Sequence, residues 1–244
     1  MCRVCGCDHQ DHEHDHDNDH DHDHPHTHRV SLQSALLAKN DRLAEELRVH
    51  LGHQEIVALN LIGSPGAGKT TLLEHTIRAL PSSISVSVVE GDQATDNDAR
   101  RIAATGCRVV QINTGAGCHL DATMMDRGLG ELSPARRSLV FIENVGNLVC
   151  PALFDLGERA KVVVLSVTEG EDKPLKYPHV FRAASVLVLT KSDLVPHLDV
   201  DISQYVANAR RVNPALQVFP VSARRGDGLA EWCGWLRSQV GDLS

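Results

Sequence analysis

Aromatic residues are scarce in this chain, with two Trp, two Tyr and four Phe in 244 residues. A core must then be built from Val, Leu, Ile and Ala, the usual composition of parallel sheets buried on both faces. No apolar run approaches the ~20 residues needed to cross a bilayer, and the first residues, M-C-R-V-C-G-C-D-H, hold no signal-peptide apolar region. No membrane partner is expected, and the expected location is the cytoplasm. There, the seven cysteines should be thiolates, metal ligands or core residues rather than disulfides. A surplus of basic residues is missing too. The formal net charge is −8, but residues 1–29 carry eight acids against Arg3 and Arg29, a net of −6. The other 215 residues hold 24 acids against 22 bases, a net of −2. No basic face is available to attract nucleic acid.

What is present begins with a thiol cluster. Cys2, Cys5 and Cys7 stand in C-x-x-C-x-C spacing around Gly6. The set is compact enough to wrap a soft or borderline metal, with the amino group or a water as fourth ligand. The plainer reading is a flexible, oxidisable tail. Residues 8–28 add nine histidines, His9, His12, His14, His16, His20, His22, His24, His26 and His28, interleaved with Asp. With no apolar area to bury, this stretch is expected to be disordered. Its imidazoles and carboxylates suit Ni, Cu or Zn as a low-affinity reservoir. A purification tag, usually an unbroken His run, or an acidic spacer with incidental His fits less well. Residues 30–53 read as a helical linker between the tail and a domain. Leu36, Leu37, Leu43, Leu47 and Leu51 recur near helical spacing, and Asn40 is placed to cap a second helix.

Residues 54–244 alternate short Val-rich strands, at 56–62, 84–90, 109–112, 139–143, 162–167, 186–190 and 218–221, with helix-like stretches. The helices are expected at 70–80, 96–104, 122–132, 202–212 and 229–240. This order predicts an α/β fold, a mostly parallel sheet covered by helices, with catalytic loops at the carboxyl ends of the strands. After the first strand, residues 63–71 read G-S-P-G-A-G-K-T-T. Gly63, Gly68, Lys69 and Thr70 fill the P-loop pattern G-x-x-x-x-G-K-[ST] in the strand–turn–helix context it requires. Gly63, Ser64, Pro65, Gly66, Ala67, Gly68 and Thr71 would curl backbone N–H groups round phosphate oxygens at a helix N-terminus. Lys69 would reach the β- and γ-phosphates, and the Thr70 hydroxyl would ligate Mg²⁺.

Base choice rests on two later loops. Thr190-Lys191-Ser192-Asp193 ends the sixth strand, where a P-loop GTPase carries N-K-x-D. The Asp193 carboxylate can accept from guanine N1–H and the exocyclic amine, whereas the N1 lone pair of adenine would be repelled. The Lys191 stem can lie over the base. Thr190 stands where the pattern has Asn, which puts the rigidity of that loop in question. Ser222, Ala223 and Arg224 follow the last strand and resemble an S-A-[KL] loop, with the Ala223 N–H meeting guanine O6. GTP is therefore expected over ATP. Two apolar strands end in acids, at Glu90-Gly91-Asp92 and at Glu143, as a Walker B strand does. Thr70, Asp92 and Glu143 are the candidate Mg²⁺ shell, and with Lys69 the expected catalytic set. Asp96 and Asp98 either orient the attacking water or sit at a helix N-terminus where acids are favoured. No arginine finger or water-positioning Gln is identifiable, so turnover should be slow.

A second donor set follows the third and fourth strands. Cys118-His119 and Cys150 would open onto the phosphate edge of a parallel sheet. Two thiolates and an imidazole suit Zn or Ni, with a fourth position for water, a substrate ligand or a residue of another chain. From the residues alone, buried cysteines packing as small hydrophobes beside a solvated His are an equal alternative. Cys107 and Cys233 read as packing.

Several stretches belong together. They are M-C-x-x-C-G-C at Cys2, Cys5 and Cys7, the His-rich tail, G-S-P-G-A-G-K-T-T, E-G-D at 90–92, G-x-x-C-H-L at 115–120, E-N-V-G-N-L-V-C-P at 143–151, and E-G-E-D-K-P-L-K-Y-P at 169–178. Over nearly the whole chain they resemble the HypB family of hydrogenase nickel-insertion GTPases. The resemblance implies a SIMIBI-class P-loop G domain that helps deliver Ni²⁺ to the large subunit of a [NiFe]-hydrogenase. It implies nickel at Cys2, Cys5 and Cys7, and Zn²⁺ or Ni²⁺ at Cys118, His119 and Cys150. It also implies the zinc protein HypA as a partner and a homodimer formed with GTP, for which E-D-K-P-L-K-Y-P is a candidate face. A urease-type nickel accessory GTPase is the nearest rival, disfavoured by the N-terminal Cys cluster and the separate Cys118-His119 and Cys150 arrangement. A nickel store with a regulatory GTPase is the rival from another class.

Overall fold

The computed structural model describes the backbone of residues 25–93 and 95–241, and side chains from residue 34. Cys2, Cys5, Cys7 and the histidines from His9 to His24 lie outside the described residues, as do the side chains of His26 and His28. The sheet has seven parallel strands. They are β1 (Ile56–Ile62), β2 (Ser85–Asp92), β3 (Arg108–Asn113), β4 (Ser138–Glu143), β5 (Ala160–Ser166), β6 (Val186–Thr190) and β7 (Gln217–Val221), in spatial order β3-β2-β4-β1-β5-β6-β7. Each forms within two residues of its expected bounds. The crossovers place helices on both faces: α1 (Pro25–His53), α2 (Lys69–Ala79), α3 (Asn97–Ala103), α4 (Ala122–Leu132), α5 (Cys150–Leu153), α6 (Lys173–Lys176), α7 (Pro178–Ala183), α8 (Ile202–Val212) and α9 (Leu229–Gly241).

Alternation along the strands divides the core. Val57, Leu59 and Leu61 of β1 with Leu139 and Phe141 of β4 pack against Leu72 and Leu73 of α2, Ile102 of α3, and Trp232 and Leu236 of α9. The intervening residues Ala58, Val140 and Ile142 meet Ala44, Leu47 and Leu51 of α1 and Met125 and Leu129 of α4. Val163, Leu165 and Leu187 meet Phe181 of α7 and Tyr205 of α8. At about 25 cal/mol per Å² of apolar surface, these two faces supply most of the folding drive. Cys233 is buried among the first cluster, and burial pushes the Cys107 thiol up to about 11, so both act as packing residues.

The N-terminal helix differs from its expectation. It begins at Pro25 and runs unbroken to His53, with Ala44, Leu47 and Leu51 buried against the sheet. Asn40 caps nothing within α1. Its Nδ2 donates to Asp155 O at 2.8 Å, and its Oδ1 accepts from Ala122 N at 2.8 Å, the first N–H of α4. It therefore supplies the N-terminus of a different helix, whose own Asp121 accepts from Met124 N at 2.8 Å. The short helices α5, α6 and α7 were also not expected. Each opens with a proline at its first or second position and is too short to show a helical period.

Candidate functional site

The centre of the site is the turn from β1 into α2. Gly63 is forced by close approach, since a Cβ there would lie 2.3 Å from Val164 O. Gly68 has φ 91°, a left-handed conformation that starts α2 without a side-chain cap. Lys69 is buried, and its Nζ donates to Gly63 O at 3.2 Å across the loop. Burial lowers its pKa, opposed most by the charge of Glu143. The Thr70 hydroxyl donates to Glu143 Oε1 at 2.7 Å.

Glu143 and Glu90 are register partners on β4 and β2, and both are buried on the α2 face. Burial pushes Glu143 up to about 7, against Lys69 and the Thr70 hydrogen bond. Burial, then the charge of Glu143, pushes Glu90 up to about 8. The Oε2 atoms of both are buried without a hydrogen-bond partner. Two orphaned carboxylate oxygens beside a threonine hydroxyl form a donor set suited to a hard divalent cation. Asp92 sits at the end of β2, where its carboxylate accepts from Gln93 N at 2.6 Å and from Thr95 Oγ1 at 2.6 Å. Asp96 and Asp98 pair with Arg100 and Arg101.

Arg101 was not anticipated. Its guanidinium donates to Thr71 Oγ1 at 2.9 Å and to Glu74 at 2.5 Å, binding α3 to the start of α2. Glu74 and Arg101 are 27 residues apart, and nothing local in the sequence marks them as partners.

The base-reading loops converge on the same edge. Thr190 Oγ1 lies 2.6 Å from Ala67 O and 3.1 Å from Leu165 O, so the hydroxyl ties the end of β6 to the P-loop. Thr190, standing where the pattern has Asn, thus reaches the P-loop with its shorter side chain. Lys191, at φ 58°, extends back to donate to Gly66 O at 2.8 Å. Ser222 Oγ donates to Asp193 Oδ1 at 2.6 Å, which holds that carboxyl below its usual range. Ala223 and Arg224 occupy the turn between β7 and α9, closed by Gly226 N donating to Ser222 O at 2.7 Å.

The second donor set is assembled as well. The ligand atoms of Cys118, His119 and Cys150 lie within 4.8 Å of one another. Cys118 and His119 converge because they sit in a turn, not a strand: Gly117 N donates to Thr114 O at 2.9 Å, and Leu120 is fully buried behind them. Cys150 is buried at the first position of α5. The His119 ring stacks on Phe154 with centroids 3.9 Å apart. Burial lowers its pKa, opposed by Asp121, which favours the neutral ring that a metal ligand needs. The residues 143–150 run from the Thr70 contact to this set, and Asn147 within them pairs with Gly63 in an isolated bridge. A cavity of about 520 Å³ between α1 and α4 holds none of these donors.

Comparison with known proteins points to one family. Residues 57–220 match the CobW/HypB/UreG nucleotide-binding domain. The hydrogenase maturation factor HypB of Rhizobium leguminosarum bv. viciae is 56% identical over 85% of this chain and 69% of its own length. The crystal structure of HypB from Archaeoglobus fulgidus superposes with TM-score 0.77 at 38% identity, covering 83% of this chain and 99% of that one. The structure of HypB from Helicobacter pylori in complex with nickel gives TM-score 0.78 at 35% identity, covering 84% and 96%. By fold, by motif and by these similarities, the chain belongs to the HypB family of hydrogenase maturation factors, among the CobW/HypB/UreG nucleotide-binding proteins.

Proposed function

We propose that this chain hydrolyses GTP and uses the cycle to hold and release Ni²⁺ destined for the large subunit of a [NiFe]-hydrogenase. HypA is its expected partner, and the GTP state its expected homodimeric form. The observation that carries this reading is the segment 143–150. Its first residue accepts the Thr70 hydroxyl in the P-loop, and its last contributes the Cys150 thiol to the three-donor set.

In this reading, Gly63 to Thr71 wrap the phosphates, Lys69 exchanges its Gly63 carbonyl for phosphate oxygens, and Asp193 reads guanine while Lys191 covers it. Thr70 and Glu143, with Asp92, would hold Mg²⁺, which neutralises charge on the transferring phosphoryl group. The nickel site is Cys118, His119 and Cys150, an N/S set suited to Ni²⁺ or Zn²⁺. The nickel-bound HypB of H. pylori supports the metal assignment. When the γ-phosphate leaves, the hold on Thr70 and Glu143 changes, and the 143–150 segment can carry that change to Cys150. Coupling of about 1–3 kcal/mol would alter nickel affinity about 5- to 150-fold.

The test is nickel binding to full-length protein with GDP and with a non-hydrolysable GTP analogue. Three forms are compared: unaltered, Cys2→Ser/Cys5→Ser/Cys7→Ser, and Cys118→Ala/Cys150→Ala. The expected result is a nucleotide-dependent component that survives the first substitution and is lost in the second. Nickel binding confined to the tail and indifferent to nucleotide would make the chain a metal store and defeat the reading.

A further inference from the structure

On the sheet face that carries α1, α4, α7 and α8, β1 presents Ile56, Ala58, Asn60 and Ile62, and Asn60 is the polar residue in that row. It is completely buried, so its amide depends on protein partners. Its Nδ2 donates to Glu158 Oε1 at 3.2 Å, and its Oδ1 accepts from Asn144 Nδ2 at 3.2 Å. Glu158 also accepts Leu156 N at 2.6 Å and lies 3.7 Å from Lys161 Nζ. Lys161 is the register partner of Asn60 on β5. Four buried or nearly buried polar side chains, Lys161, Glu158, Asn60 and Asn144, thus form a line across three strands. It lies on the face opposite Lys69 and Thr70.

Each end of the line grips one half of the three-donor set. At one end, Asn144 Oδ1 accepts Leu120 N at 3.2 Å, fixing the residue next to His119. At the other, Lys161 Nζ donates to Ala152 O at 3.1 Å and to Phe154 O at 3.0 Å. Those carbonyls close the short helix that begins at Cys150, and the Phe154 ring is the one stacked on His119. None of the four is a donor of the set. An apolar filling would stabilise such a core at least as well as a buried ion pair, so stability alone does not account for this line.

We infer that Lys161, Glu158, Asn60 and Asn144 are positioning residues. They fix the Cys118-His119 turn relative to Cys150 and so set how tightly the three donors hold a transition metal. The inference rests on reading those donors as a metal site. Residues that orient metal ligands from behind are worth about 10- to 100-fold in affinity.

The experiment uses Co²⁺, because its thiolate charge-transfer band reports binding and its d–d bands report ligand geometry. The background is full-length protein carrying Cys2→Ser, Cys5→Ser and Cys7→Ser. Asn60→Ser and Lys161→Met are each expected to weaken Co²⁺ binding about 10- to 100-fold and to shift the d–d bands. Val163→Ala, which thins the same face and removes no polar group of the line, is expected to lower the melting temperature and leave both signals in place. Nucleotide binding verifies that each variant is folded, and Asn60→Ser, the gentler change, decides if Lys161→Met does not fold. Unchanged Co²⁺ affinity in Asn60→Ser, or a loss no greater than Val163→Ala gives, overturns the inference while leaving the metal site standing. A thiolate band that survives Cys118→Ala/Cys150→Ala removes the metal reading and the inference with it.

Discussion

The Thr70 hydroxyl donates to Glu143 Oε1 at 2.7 Å, joining the first turn of α2 to the end of β4 inside the core. Thr70→Ala removes that bond from a buried carboxyl. The unliganded protein should lose about 1–3 kcal/mol, the cost of leaving such a group less satisfied, as read from urea denaturation. Because Thr70 is also an expected Mg²⁺ ligand, GTP turnover should fall about 100-fold or more, the scale of losing one contact to developing charge.

Glu90 and Glu143 stand in register on adjacent strands, and burial raises them to about 8 and about 7. Both values exceed the ordinary 4.5, so within this window the folded state binds protons that the unfolded state has lost. Stability from these groups therefore declines as pH rises from about 4.5 to about 8 and is level above that. Comparing denaturation midpoints of the unaltered protein and Glu90→Gln across this range should show the unaltered protein losing more. Parallel curves would contradict it.

The same pair gives Mg²⁺ binding a proton signature. A divalent cation favours ionised carboxylates, so Mg²⁺ with nucleotide near neutral pH should displace protons from Glu143. Calorimetric heats measured in buffers of different ionisation enthalpy should then differ, and Glu143→Gln should remove most of the difference.

What was legible in the sequence was what is local. The P-loop spells its turn within residues 63–71, because glycines, a lysine and a hydroxyl must follow one another there. The strands showed themselves as Val-rich runs ending in Glu90-Gly91-Asp92 and Glu143. Cys118, His119 and Cys150 could be brought to one edge only by assuming a parallel sheet, and the sheet does so. What was hidden depends on distant partners. Asn60 meets Glu158 98 residues away, and Thr190 reaches the P-loop 123 residues back. Nothing in the spacing of either residue records such contacts, which exist only once the strand order is set.

Base selection should separate into two residues with different effects. Asp193 is held by Ser222 with a carboxylate that guanine can engage through two donors. Asp193→Ala should cut the preference for GTP over ATP by about 100-fold or more, each charged hydrogen bond being worth about 1.5–3 kcal/mol. Thr190→Val keeps the shape but loses the tie to Ala67 O and Leu165 O. It should weaken GTP and ATP analogues alike, by about tenfold, since one or two neutral hydrogen bonds contribute about 0.5–1.5 kcal/mol each. Competition binding with fluorescent nucleotides distinguishes the two patterns.

Asn40 turns α1 from an appendage into part of the folded body. Its amide serves Asp155 O and the first N–H of α4 together, and α4 follows directly on the turn that carries Cys118 and His119. Asn40→Ala would leave a helix-terminal N–H and a carbonyl without this partner in a nearly closed site. The expected loss is about 1–3 kcal/mol of stability, visible as a lower denaturation midpoint. Asn40→Asp keeps the acceptor for Ala122 N but sets a carboxylate against Asp155 O, so it should recover little of the loss. If Asn40→Ala unfolds at the same denaturant concentration as the unaltered protein, α1 is only laid against the domain, and its buried leucines rather than this amide hold it there.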